Sequence, residues 1–205
     1  MLDRSFFYEN YWKYFLKLES QFAYTERFVA ISASNEKCYS VEYLELYQAI
    51  CSEIDTVAKV IACYLDPGFS VNRRTGIRQW GYELTNFLPE LIEDEVVLDN
   101  KTLIIPWNKF GYDCSRNKKG NVKYKLKDGC QTPGWWNDYN SVKHGRIYIA
   151  SEIENNYSLA NQKNVIYALS ALFSLESLFL YKKMGMLSID GGYWNNRSGL
   201  LSRKH

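Results

Sequence analysis

The stretch Pro133 to Arg146, PGWWNDYNSVKHGR, gathers side chains that can do chemistry. It holds His144, one of only 2 histidines in the chain. Wound as a helix, it places Asn137, Asn140, Ser141 and His144 on one face, at steps of three, four and seven residues. Trp135, Tyr139, Val142 and Arg146 fall on a different strip. An imidazole exchanges protons near neutral pH. Lys143 and Arg146 supply positive charge for an anionic phosphate. The amides of Asn137 and Asn140 can orient a phosphate oxygen or a 2′-hydroxyl. The face suits phosphate chemistry, and it equally suits a solvated helix edge that carries a histidine.

Two carboxylates stand in apolar company. Glu53 has Leu46, Ala49, Ile50, Thr56, Val57 and Val60 as its helical neighbours. A carboxylate so placed is expected to be buried with a partner from another helix, possible partners including the helix of His144. Glu176 lies among Leu169, Leu172, Phe173, Phe179 and Leu180. The alternative for both is that they reach water or accept from internal Arg, Tyr or Trp donors. Asp55 differs, because Lys59 four residues on pairs with it.

Positive charge is concentrated rather than spread. Residues 109–128 carry seven Lys or Arg against two Asp, a local +5 in a chain of net charge +2. Within them, Lys118, Lys119, Lys123 and Lys125 are candidate contacts to a polyanion, and Arg73, Arg74 and Arg78 form a second basic group. Trp107, Phe110, Tyr112 and Tyr124 interleave with the first group. Basic residues among aromatics suit single-stranded nucleic acid; a plain solvated loop has the same composition.

The elements that must position these residues can be read from periodicity. Phe7, Tyr11, Phe15, Leu18 and Phe22 recur at helical steps within residues 5–31. Ser40 is an expected N-cap for the clearest helix, striped by Tyr43, Tyr47, Ile50, Ile54, Val57, Ile61 and Tyr64 and stopped by Asp66-Pro67-Gly68. A third helix is expected over 75–92, bent at Pro89. EVVLDNKTLIIPW reads as a hairpin, and NVKYKLK alternates like an edge strand. After the helix of His144, a last helix is expected over 158–183, followed by a Gly-rich irregular tail. This order predicts a mainly α fold: one helical-bundle domain over residues 1–205, with a β and loop insert at about 94–132 before the motif helix.

Length and composition agree with one domain. The chain has 205 residues, 46% of them hydrophobic and 23% charged, enough for a sizeable core. Aromatic residues reach 16%, a set able to fill a core, an interface or a stacking surface. The 5 cysteines lack metal-ligand spacing and are expected to be free thiols; the alternative for Cys114 and Cys130, which bracket the basic insert, is a disulfide or a share in a metal site. No metal and no cofactor is expected. The N-terminus lacks a signal-peptide pattern. The apolar run from Val165 to Tyr181 contains Glu176 and three serines, which fits a buried helix rather than a membrane span. A cytoplasmic protein follows as the expectation.

YNSVKHGR, late in the chain, resembles the signature helix of the HEPN superfamily (higher eukaryotes and prokaryotes nucleotide-binding). SEIDTVAKVIACYL resembles the helix that faces it in that fold. The aromatic pair ahead of YNSVKHGR is similar to that of the AbiV-like proteins of bacterial abortive infection. The resemblance implies a HEPN-like bundle and a role in phage defence. Many proteins of that superfamily are metal-independent endoribonucleases whose Arg-and-His helices meet across a homodimer in one composite site. Carried over, it makes His144 the general acid or base, with Lys143, Arg146, Asn137 and Asn140 on the phosphate and Glu53 in support. The motif's arginine is absent: Asn137 stands at the six-residue spacing and Asn140 at a shorter one. Two readings therefore stay open, a ribonuclease and a non-catalytic module that binds RNA or a phage or host protein.

Overall fold

Ser40 opens the longest helix. Its hydroxyl accepts from the Tyr43 amide at 3.1 Å, satisfying one of the donors that every helix start leaves free. Helix α3 then covers Val41–Leu65, following α1 (Arg4–Phe7) and α2 (Lys13–Thr25). A π turn, Tyr8–Trp12, joins the first two into one rod. That rod ends at Thr25, short of the 31 that its pattern predicts. Tyr43, Tyr47, Ile50, Ile54, Val57 and Ile61 of the α3 stripe are buried, whereas Tyr64 at its end is exposed. The computed structural model describes residues 2–99, 101–118, 120, 122–145, 147–149, 153–185 and 198–204.

Helix α4 covers Ile77–Phe87. It stops before Pro89, whose ring removes a donor and clashes with the preceding turn, and a 3₁₀ turn, Pro89–Glu93, takes over. Helix α5 is Gly134–His144. Helix α6, Gln162–Lys183, starts where the Asn161 side chain accepts from the Asn164 amide; the 158–161 stretch expected as helix belongs instead to a 3₁₀ turn and the cap. By length and hydropathy α6 could cross a membrane, but 89% of its apolar window is buried inside the protein. It is the central core helix, apolar on every side because other elements surround it.

The expectation of a mainly α bundle is wrong. Strand accounts for 12% of the structure, and the fold is mixed α and β. The strands are β1 Val96–Leu98, β2 Thr102–Ile104, β3 Tyr112–Arg116, β4 Val122–Leu126, β5 Ile147–Ile149, β6 Ile153–Asn155 and β7 Leu201–Arg203. Among the described residues they make three antiparallel sheets, ordered β2-β1-β7, β3-β4 and β5-β6. The β1-β2 hairpin and strand β4 sit where alternation predicts them, whereas β3, which pairs with β4, and the β5-β6 pair were not expected. Strand β7 escaped because its partner, β1, lies about a hundred residues earlier, with Val97 opposite Ser202. No local pattern marks such a pairing.

The segment expected as an insert is built into the core. Trp107 and Phe110 are fully buried. The Trp107 indole donates to the Ala171 carbonyl of α6 at 3.1 Å, and the Trp135 indole donates to the Pro106 carbonyl at 2.9 Å. Buried Asp94, just before β1, accepts from the Ser174 hydroxyl of α6 at 2.7 Å and pairs with Arg203 of β7. Burial holds the Asp94 carboxyl above its ordinary pKa, against the lowering pull of Ser174 and Arg203. Glu19 of α2 accepts from the amides of Gly199 and Leu200 at 2.9 and 3.1 Å. The described end of the chain is therefore tied to both α2 and α6.

Gly81 lets α4 approach the β3 strand closely. A Cβ there would lie 2.6 Å from the Phe110 ring and 3.0 Å from the Tyr112 ring. Alanine is a better helix former than glycine by about 1 kcal/mol, yet Gly81→Ala should destabilise the protein, because a fully buried ring cannot withdraw. Urea denaturation should show a lower midpoint for the variant. An equal or higher midpoint would refute the close approach.

Candidate functional site

Tyr139 and Trp135 hold α5 in place. The Tyr47 hydroxyl of α3 donates to the Trp135 carbonyl, and the Tyr47 and Tyr139 rings meet edge to face at 6.0 Å. Asp138 accepts from the Asn164 amide of α6 at 2.8 Å. Trp135, Trp136, Tyr139 and Val142 are buried, while Asn137, Ser141, Lys143 and His144 are exposed and Asn140 is half-buried. The two strips divide as helical spacing predicts. Lys143 lies over the Tyr139 ring, 5.4 Å from its centre. Burial, then the nearby Cys51 and Asp55, push the Tyr139 hydroxyl up to about 12, so it stays protonated and is no base. His144 has no hydrogen-bonding or charged partner among the described residues. Arg146 lies outside the described residues. In one copy of the chain, then, the polar face of α5 is an open surface.

Glu53 is not where its expected role requires it. It is half-buried and accepts no hydrogen bond from another helix among the described residues. Its neighbours are Glu176 of α6 and Tyr11 of the N-terminal rod, both of which feel its charge. Cys51 and Tyr47, which meet α5, lie on the other side of α3. Glu53 therefore does not support His144. Burial pushes its carboxyl up to about 7. Glu176 is fully buried, neither of its oxygens has a partner among the described residues, and burial followed by the Glu53 charge raises it well above the ordinary range. Neither acid has an internal donor among the described residues: burial keeps Glu176 neutral, whereas the half-buried Glu53 stays partly exposed, as the alternative reading allows.

A cleft of about 630 Å³ opens elsewhere, between α4, the loop 66–75 and the β3-β4 hairpin. The loop is stapled by its own side chains. The Asp66 carboxylate accepts from the Gly68 amide at 2.8 Å, Asn72 accepts from the Arg74 amide at 2.8 Å, and Thr75 accepts from the Asn72 amide at 2.9 Å. Such Asx-type bonds preset the loop shape. Cys114 stands opposite Tyr124 and Arg116 opposite Val122 in the hairpin register, and these four line the cleft. From α4, Tyr82 meets Tyr124 edge to face at 5.7 Å. Glu83, also of α4, lines the cleft and is only 6% exposed. Burial first, then the Asp66 carboxylate, raise its pKa.

The basic residues divide between faces. Arg74 lines the cleft and is joined there by Arg116. Arg73, Arg78, Lys118, Lys123 and Lys125 are exposed outside it. Strand alternation turns Lys123 and Lys125 to the hairpin face opposite Tyr124. Lys119 lies outside the described residues. Of the expected stacking aromatics, Trp107, Phe110 and Tyr112 are buried, and only Tyr124 reaches the cleft. Sequence reasoning missed Glu83, and the test applied to Glu53 does not find it: among its helical neighbours only Trp80 and Phe87 are apolar, beside Gly76, Gln79, Asn86 and Glu90. Cys114 and Cys130 carry free thiols. Among the described residues no three His, Cys, Asp or Glu side chains gather as a metal site.

No family model matches the sequence, and no match is found among curated proteins or solved structures.

The Glu53 and Glu176 pair has a pH consequence. Both folded-state values lie above the ordinary 4.5, so the folded chain keeps protons that the unfolded chain releases. Stability from these groups is full below about pH 4.5 and falls as the pH rises, through about 7 for Glu53 and well above the ordinary carboxyl range for Glu176. Glu176→Gln should therefore unfold at a higher urea concentration than the parent at pH 8, with the gap closing near pH 4.5. A variant less stable than the parent at pH 8 would show that Glu176 is not held as a neutral acid.

Proposed function

We propose that this protein binds single-stranded RNA along its basic hairpin and the adjoining cleft. One observation carries the reading: Arg74 and Arg116, from a loop and a strand far apart in sequence, line the same cleft as the rings of Tyr82 and Tyr124. Guanidinium groups hold backbone phosphates, and aromatic faces accept bases of any sequence. Lys118, Lys123 and Lys125 extend the positive surface beyond the cleft. The resemblance of the α3 and α5 segments to HEPN proteins favours the same class of target, and with it a cytoplasmic role in antiviral defence.

A second reading concerns cleavage. Asn137, Lys143 and His144 lie exposed together on α5, a surface that a second copy can complete into a composite site. A ribose 2′-hydroxyl would attack the adjacent phosphate, with His144 exchanging the proton and Lys143 facing the charge that develops. No metal is invoked.

Fluorescence anisotropy with a labelled single-stranded RNA tests the first reading. Arg74→Ala and Arg116→Ala should each weaken binding for every sequence and reduce the salt slope by about 0.7. Binding that ignores both substitutions would overturn it. For the second reading, His144→Ala should lower RNA cleavage by roughly 10² to 10⁴, and the parent should cleave equally well in EDTA. A parent protein that leaves RNA intact, or a variant that cleaves as fast as its parent, would remove His144 from any mechanism.

A further inference from the structure

Glu83 stands apart from the other polar groups of the cleft. The Asp66 carboxylate is engaged by the Gly68 amide. The Gln79 carbonyl caps α4 by accepting from the Gly76 amide at 3.1 Å. Glu83 is more than nine-tenths buried, faces the cleft, and has neither a hydrogen bond nor an ion pair among the described residues. Its carboxylate opens to the cleft rather than being sealed in the core, so a ligand that enters can replace water as the donor to both oxygens. Its two oxygens accept side by side, so the ligand that fits must present two adjacent N–H donors. The rings of Tyr82 and Tyr124 beside it ask that the donors belong to a flat, stackable group. Arg74 and Arg116 ask that this group carry a phosphate.

Guanine meets all three conditions. Its Watson–Crick edge offers the ring N1–H next to the exocyclic N2 amine. Adenine and cytosine offer one amine beside an acceptor nitrogen that would repel a carboxylate. Uracil offers one N–H between two carbonyl oxygens. We propose that the cleft reads a guanine nucleotide, with the Glu83 carboxylate on the guanine edge, Tyr82 or Tyr124 against the base, and Arg74 and Arg116 on the phosphate. For a guanine within RNA this rests on the RNA-binding reading. For a free guanine nucleotide it does not, because the same three groups suffice. The cleft volume of about 630 Å³ lies in the range of small-ligand sites.

The experiment uses labelled RNA octamers in anisotropy: all-uridine, and the same strand with one guanosine, inosine or adenosine at its centre. Inosine keeps the N1–H and lacks the N2 amine. The parent protein should prefer the guanosine strand over the adenosine strand by about 5- to 150-fold, the span one bidentate base contact gives, with inosine between them. Glu83→Gln, nearly isosteric, should bring the guanosine, inosine and adenosine strands to the same affinity. The guanosine-to-inosine ratio needs only the parent protein, so it decides the matter even if the variant misfolds. Equal affinity for all four strands overturns the guanine assignment and leaves RNA binding standing. If no strand binds, the RNA reading falls, and titration calorimetry with guanosine monophosphate against adenosine monophosphate then judges the cleft alone. Selective guanosine monophosphate binding sustains the assignment, and no binding of either ends it.

Discussion

Four tryptophans meet where the elements of this fold converge, and the rest of the structure hangs on their contacts. Trp80 of α4 lies edge to face with Trp107 and with Trp136, at 6.3 and 5.6 Å. Trp107 meets Trp135 at 5.3 Å in the same manner. Such edge-on geometry sets the positive rim of one ring against the negative face of the next. Each of three indoles also finds an acceptor: Asp55 of α3 for Trp80, Ala171 of α6 for Trp107, and Pro106 for Trp135. A buried indole N–H left unpaired would be costly, so these bonds set the orientation as well as the contact. The cluster thereby joins α3, α4, α5, α6 and the segment ahead of β3 into one core.

Polar groups inside that core follow two opposite rules. Asp94 is surrounded by Ser174 and Arg203, and the arrangement locks β7 against β1 and α6. Glu176 has no such company. A carboxylate there would be uncompensated, so the acid stays protonated, as burial requires. The half-buried Glu53 beside it adds to that tendency. Because each ionised carboxylate opposes ionisation of the other, the packing of α3 against α6 is coupled to proton uptake.

The same core gives the two candidate surfaces their different characters. Helix α5 is held by its aromatic side and leaves its amides and His144 to solvent. Helix α4 is held by Trp80 and by the close approach at Gly81, which brings the hairpin near enough for Tyr124 to meet Tyr82 and for Arg116 to line the same cleft as Glu83. A flat polar surface suits contact with another macromolecule. A recessed one, with rings and an unpaired acid, suits a ligand group that enters it.

Much of this was legible in local pattern. The Ser40 cap, the α3 stripe, the buried and exposed strips of α5, the β1-β2 hairpin, the β4 strand and the Asp55 to Lys59 pair all obey rules that act over three or four residues. Helix ends were less legible, since Pro89 and the turn before α6 yield to 3₁₀ geometry whose stability depends on packing. Arg74 and Lys123 are alike in composition, yet one lines the cleft and the other faces away from it. The neighbour of Glu53 was likewise beyond the sequence, which placed two odd carboxylates more than a hundred residues apart without a sign that they face each other. Periodicity determined which side of each element is apolar, because that depends only on the geometry of the backbone. The tertiary structure alone decided which apolar sides meet, and so which polar residues share a site, because contacts between distant segments are selected by shape and burial that no window of sequence contains.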